Sequence, residues 1–474
     1  VNQSDYLARD GVGLADLIAA GEVSAAEVVD AALARLEAVN PRLNAVTLTL
    51  ADQARAQVKT GTPAGPLGGV PYLIKDLGAQ MAGVPTTAGS WLMGDPPAAA
   101  DSAIISAYRA AGLVILGKTN TPEFGLEPVT EPKRFGPSRN PFDLTRTPGG
   151  SSGGASSAVA GGITPAAHAS DGGGSIRTPA ACCGLFGMKP TRGRVSFAPA
   201  DEGWGGFSIQ HAVTRTVRDS ATLLDAVCRP QPGDPYWRDA PATPFAGEVG
   251  RDPGCLRIAF STAALAAPAI DAECAQAVRD AAKLCESLGH HVEEANLPGD
   301  FTALGAAGGT VIAASVAATL DAEAARRGCP IGEGDVETIT WAMYRRGQAV
   351  SGAAYIQALQ ACHAFGRQAA AFFEGYDILM LSTLGSPAIK VGELLGDPPD
   401  LAGYTQRLFA FMPNTQAFNI TGQPAMTVPL AQSGEGLPIG LQFAARAGEE
   451  ALLFRLASQL ETASPWAGRL PAGL

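Results

Sequence analysis

Residues 147–177 read TPGGSSGGASSAVAGGITPAAHASDGGGSIR, and no other stretch constrains the chain so strongly. Two clusters, Gly149-Gly150-Ser151-Ser152-Gly153-Gly154 and Gly172-Gly173-Gly174-Ser175, flank a run of small residues. No Asp, Glu, Lys or Arg occurs from 147 to 170. Glycine lets a backbone turn tightly and approach a ligand closely. Serines held in such turns can be nucleophiles, and adjacent backbone N–H groups can form an oxyanion hole.

The surrounding pattern alternates strands with helices. Ser24-Ala25-Ala26-Glu27 is a capping box that opens a helix through Val28, Val29, Ala32, Leu33 and Leu36, which Asn40-Pro41 is expected to stop. Residues 70–74 read as a short buried strand with Lys75 at its end, 103–111 as a helix, and 113–116 as a strand. Residues 163–169 form a strand leading into the second cluster, and Ser175 opens a helix through Cys183. The C-terminal half repeats the alternation, with strands at 256–260, 377–381, 425–430 and 439–443 and helices at 273–288 and 449–461. The order implies an α/β fold, a mixed sheet covered by helices. Residues 231–254, rich in Pro and Gly, are a linker or a long loop within one domain.

Two short motifs match without the physics that would support them. Gly112-Leu113-Val114-Ile115-Leu116-Gly117-Lys118-Thr119 fits G-x-x-x-x-G-K-[ST], yet its interior is itself the strand where a phosphate loop needs flexible residues. Gly150-Ser151-Ser152-Gly153-Gly154 fits G-x-S-x-G, but Thr145-Arg146-Thr147-Pro148 is not the buried strand that a nucleophile elbow requires. His211, His290, His291 and His363 lie in no glycine-rich or acidic constellation, and His168 reads as structural. No H-E-x-x-H or paired-cysteine metal site is present, so neither metal nor cofactor is expected.

Charge and cysteines narrow the setting. With 45 acidic and 34 basic residues the net charge is −11, which disfavours nucleic acid or an anionic membrane as partner. The eight scattered cysteines suit a reduced, cytoplasmic protein, with Cys182 and Cys183 packed in a helix. The start, VNQSDYLARDG, lacks a basic-then-apolar signal pattern. Residues 301–320 are uncharged but rich in Gly, Ala and Thr, which suits a buried or channel-lining helix rather than a membrane span. A monomer or homodimer is expected.

Read in order, further segments resemble the amidase signature family. They are Gly69-Val70-Pro71-Tyr72-Leu73-Ile74-Lys75-Asp76, Gly117-Lys118-Thr119-Asn120-Thr121-Pro122-Glu123-Phe124 and Phe135-Gly136-Pro137-Ser138-Arg139-Asn140-Pro141. The two glycine–serine clusters follow, then Gly187-Met188-Lys189-Pro190-Thr191, Gly422-Gln423-Pro424-Ala425 and Leu437-Pro438-Ile439-Gly440-Leu441-Gln442. The resemblance covers almost the whole chain and implies one domain over 1–474: a helical segment to about 60, a signature core at about 65–220, and a C-terminal part at about 255–474 completing the sheet and covering the pocket. It also implies a Ser–cis-Ser–Lys triad: Ser175 the nucleophile, Ser151 the bridge reached through a cis Gly150–Ser151 peptide, and Lys75 the base.

The chemistry asks for these residues. A serine hydroxyl is a poor nucleophile until its proton is removed. Lysine can take that proton only when neutral, and burial lowers its pKa from about 10.4. Ser151 can relay because a hydroxyl both donates and accepts. Backbone N–H groups of Gly172, Gly173 and Gly174 through Ser175 would face the oxyanion, with Asp171 and Arg177 bracing the loop. Ser152 would either hydrogen-bond Lys75 or cap a turn.

After Phe124 the chain departs from many family members, reading Gly125-Leu126-Glu127-Pro128-Val129-Thr130-Glu131-Pro132. The Thr-Glu-Pro form looks most like the branch of 6-aminohexanoate cyclic dimer hydrolases and related aryl- or alkyl-amide hydrolases. Gly125, Leu126 and Val129 are candidate substrate contacts, and Gly172, where the family commonly has a bulkier residue, would widen the pocket floor. The resemblance implies hydrolysis of small, neutral, hydrophobic amides, extending to carbamates and esters. The rival readings are the amidase subunit of a tRNA-dependent amidotransferase and a binding protein that kept the fold without catalysis.

Overall fold

The structure, a computed structural model, describes residues 2–93, 97–200 and 202–471. Its strands are β1 (Val46–Thr49), β2 (Pro71–Lys75), β3 (Val114–Thr119), β4 (Ala166–Asp171), β5 (Phe186–Lys189), β6 (Ile209–Thr214), β7 (Arg257–Phe260), β8 (His291–Glu294), β9 (Ile378–Ser382), β10 (Ala425–Gln432) and β11 (Pro438–Ala445). All belong to one mixed sheet in the order β1-β3-β2-β4-β6-β5-β10-β11-β9-β7-β8. Both halves of the chain contribute strands, and the seam is the antiparallel pairing of β5 with β10.

The alternation of side chains along a strand shows that both faces of the sheet are covered. In β9, Ile378 and Met380 join one apolar core, while Leu379 and Leu381 join a second core on the opposite face. Strands buried on both faces read as continuous apolar runs, which is why 378–381 is Ile-Leu-Met-Leu without a polar interruption.

The helices begin where their caps place them. Ser24 Oγ accepts from Glu27 N at 3.2 Å, and Glu27 Oε2 accepts from Ser24 N at 2.8 Å. The helix then runs from Ala25 to Leu43, past Pro41. The expected stop at Asn40-Pro41 is therefore three residues early. The proline sits in the last turn, where Asn40 Oδ1 accepts from Ala45 N and Val46 N at 2.9 Å each and Asn44 closes the helix in the left-handed conformation. The helix Phe301–Arg327 starts at the Asp300 cap and ends at Gly328, with φ of 71°. It is long and apolar enough to cross a membrane, but here it packs on the helices Thr338–Gln348 and Gly352–Gly375.

The strand after Gly112 extends further than 113–116. Gly117, Lys118 and Thr119 are its last three residues, so the Walker-like match lies in a strand and forms no loop. Lys118 is instead a buried structural cation, 3.1 Å from Asp76 Oδ1 and 2.6 Å from Thr86 Oγ. The 231–254 stretch is a surface loop anchored by Phe245, which is buried against Phe454.

Candidate active site

Strands β2 and β4 are parallel neighbours, with Leu73 opposite Ala167. That register sets Lys75 beside the end of β4, so both strands deliver their last residues to the same edge. Ligands in α/β sheets bind outside such carboxyl ends. Lys75 is fully buried. Its Nζ donates to Ser151 Oγ at 2.7 Å and to Ser170 Oγ at 3.0 Å. Burial, opposed by the charge of Asp171, lowers the amine to about 7. A lysine in this setting exchanges its proton near neutral pH.

Ser151 follows Gly150 through a cis peptide and sits just before the helix Gly153–Ala160. Gly150 must be glycine, because a Cβ there would meet the Val129 backbone at 2.5 Å. Val129 is thus fully buried beneath the Ser151 turn and does not line the cavity, contrary to its expected substrate contact. Gly125 does line the cavity, and it also backs Ser151: a Cβ there would lie 3.1 Å from Ser151 Oγ.

The second cluster wraps the Asp171 carboxylate. Asp171 accepts from Gly174 N at 2.7 Å, Ile176 N at 3.1 Å and Asn419 Nδ2 at 2.8 Å. Arg177 meets it twice, Nε to Oδ2 and Nη2 to Oδ1, both at 3.0 Å. The rest of the guanidinium binds Thr415 O, Gln442 Oε1 and Asn419 Oδ1. Burial alone would raise the Asp171 carboxyl, but the Arg177 charge and these hydrogen bonds hold it below the usual range. Through these bonds Asp171 and Arg177 tie the loop to Thr415, Asn419 and Gln442.

Gly174 differs from its expected place among the oxyanion donors. Its N–H is engaged by Asp171, and its φ of 139° against Thr415 admits no side chain. Among the described residues, no backbone acceptor is bonded to the N–H groups of Gly172, Gly173 or Ser175. Of the three, Gly173 and Ser175 line the cavity.

Ser175 lies half-buried at the cavity floor, and its carbonyl accepts from Ser152 N at 3.3 Å, which ties the two clusters together. Ser152 does not reach Lys75. Its Oγ lies 3.2 Å from Ser170 O, a loop-capping role, and Ser170 supplies the side-chain contact to Lys75 instead. Sequence reasoning missed Ser170, whose only signal was its place at the end of β4 beside the second cluster. His168 is buried on β4 and bonds Gln210 Oε1 at 3.1 Å, and Cys182 and Cys183 are buried.

The cavity over Ser175 has a volume of about 630 Å³. Its apolar wall comes from Leu126, Phe301 and Ile312 of the long helix, and Met343, Leu408 and Met412. Trp204 closes the floor. A Cβ on Gly172 would lie 2.6 Å from its ring, so the missing side chain does not widen the pocket; the indole fills that space. The signal for Trp204 was the run Gly203-Trp204-Gly205-Gly206, in which Trp204 itself has a φ of 53°.

A family model described as Amidase matches residues 27–454. The chain belongs to the amidase family. It is 37% identical over 477 residues to the 6-aminohexanoate-cyclic-dimer hydrolase of Paenarthrobacter ureafaciens, covering 98% of this chain and 96% of that protein. The solved structure of a 6-aminohexanoate cyclic dimer hydrolase complexed with substrate superposes with a TM-score of 0.92 at 36% identity, covering 98% of this chain and 99% of the other. A bacterial aryl acylamidase of the amidase signature family gives a TM-score of 0.88 at 28% identity, with coverage of 98% and 99%. The amidase fold expected from the motifs is the fold observed.

Proposed function

We propose that this amidase hydrolyses small, neutral, hydrophobic amides through an acyl-enzyme on Ser175. The observation that carries the proposal is the 2.7 Å contact between Lys75 Nζ and Ser151 Oγ, buried directly behind the loop of Ser175. In this reading neutral Lys75 takes the Ser151 proton while Ser151 takes the proton of Ser175. Ser175 Oγ attacks the carbonyl carbon, and the N–H groups of Gly172, Gly173 and Ser175 hold the oxyanion. The tetrahedral intermediate collapses as the relay returns the proton to the leaving amine. Water, activated by the same relay, then cleaves the ester and frees Ser175.

The apolar wall supports hydrophobic acyl or amine groups. The named activities of the relatives, on a cyclic dimer of 6-aminohexanoate and on aryl acylamides, make linear or cyclic oligoamides and anilides the first substrates to try. Carbamates and esters offer the same carbonyl to the same nucleophile. Residues from Gly125 to Gln416 line the cavity, and Lys75 reaches Ser151 behind it, which supports one domain carrying the whole reaction. Turnover of aliphatic amides, anilides, cyclic oligoamides and carbamates by the parent and by Ser175→Ala tests the reading. Hydrolysis retained by the variant on every substrate would contradict it.

A further inference from the structure

Arg346 lines the cavity beside Gly309, and another part of the wall carries a buried carboxyl that has no hydrogen-bond donor among the described residues. Glu127 lines the cavity and is 4% exposed. Glu123, Glu131, Glu337 and Asp397 surround it, and each of these has donors of its own. Glu123 accepts from Ser90 Oγ at 2.6 Å and from Glu337 N at 2.7 Å. Glu337 accepts from Lys133 N at 2.7 Å, and Glu131 from Gly392 N at 2.9 Å. Asp397 accepts from Thr338 N at 3.0 Å and pairs with Lys133 Nζ. Gly396 lets the Glu127 and Glu337 carboxyls stand together, since a Cβ there would lie 2.5 Å from Glu127 Oε1 and closer still to Glu337.

A second, independent observation points to the same place. Tyr404 lines the same cavity, and its buried hydroxyl, beside Glu127 and Glu337, has no partner among the described residues. Buried polar groups without partners are rare and mark a missing partner. Among the described residues, no group of acidic side chains here could hold a metal ion. The field of the surrounding carboxyls favours a cationic partner.

We propose that the substrate range extends beyond neutral amides, and that Glu127 and Tyr404 form a subsite for a protonated primary amine carried by the substrate, a short spacer away from the scissile carbonyl. An ammonium brings three N–H donors and one positive charge, and takes the two free oxygens at once. Gly125 backs Ser151, and two residues of chain span at most about 7 Å, so Glu127 stands close to the reacting centre. Burial and the four neighbouring carboxyls push the Glu127 carboxyl well above its usual range. Two carboxyls that converge in this way, Glu127 and Glu337, share a proton, and an ammonium bound to Glu127 releases that proton to solvent, leaving a carboxylate–ammonium pair.

The inference rests on the cavity being the substrate site. It is tested by calorimetric titration of the full chain with 4-phenylbutylammonium and with 4-phenylbutanol, in two buffers of different ionisation enthalpy. The expected result is about tenfold tighter binding of the ammonium, as for a charge-assisted hydrogen bond, with proton release. In Glu127→Gln the ratio of the two affinities falls to about one and proton release disappears. Equal affinities in the parent, or a preference that survives Glu127→Gln, would overturn the subsite and leave the two carboxyls as a proton-sharing pair. Hydrolysis of hexanoyl 4-nitroanilide by the parent separates the two readings: turnover without ammonium preference sinks only the subsite, whereas failure to turn over any amide sinks the assignment of the reaction.

Discussion

The indole of Trp204 occupies the space that a side chain at position 172 would need, with its ring 2.6 Å from where a Gly172 Cβ would stand. Glycine and tryptophan thus form one unit beside the nucleophile. Gly172→Ala should displace Trp204 and lower kcat/KM about tenfold, and Trp204→Ala should cost activity through a looser floor. Because the residues touch, their effects couple by roughly 0.5–3 kcal/mol. The double variant should therefore be more active than the product of the single losses, which steady-state kinetics on all four proteins would measure.

In the proposed reaction Lys75 is the base and sets the pH dependence. It can take a proton only when deprotonated, and its burial places that step near pH 7. Hence kcat/KM should rise with pH through about 7 and level off above it. Lys75→Ala should lose about 10²–10⁴-fold, the range of general-base catalysis, and its pH profile should lose this step. A parent profile that is flat from pH 5 to 9 would contradict the assignment.

Ser170 and Ser152 separate two roles that look alike in sequence. Ser170 Oγ accepts from Lys75 Nζ, whereas Ser152 Oγ meets only the Ser170 backbone. Accepting from an amine favours its charged form. Ser170→Ala should therefore shift the midpoint of the pH–rate profile to lower pH. Ser152→Ala should leave the midpoint in place and act on stability, read by thermal melting.

Arg177 is fully buried, and its removal leaves the Asp171 carboxylate buried with its ion-pair partner gone. Arg177→Met should destabilise the protein by about 3–5 kcal/mol, the range for breaking one side of a buried pair. Denaturant melts of the parent and variant give the number.

The residues gathered at the candidate site were easier to read in the sequence than their surroundings, for a physical reason. Ser151 and Ser175 follow glycines that the packed backbone requires, Lys75 ends a short apolar run, and such signals are local. Asp171 and Arg177 were readable because their loop is short enough for one carboxylate to organise. Pro41 misled because a side chain, Asn40, replaces the lost backbone donor in the last turn. Val129 misled because only the packed structure shows that Gly150 lies on it. Ser170, Trp204 and Tyr404 reach the site through strand register or distant chain, which local pattern does not encode.

The central claim is that Ser175 forms the covalent intermediate. The direct measurement is peptide mass spectrometry after reaction with a fluorophosphonate, run on the parent and on Ser175→Ala. The account predicts one adduct, on the peptide containing Ser175, with loss of amidase activity in proportion to labelling and no adduct in the variant. Labelling confined to another residue, or full amide hydrolysis by Ser175→Ala, would contradict it.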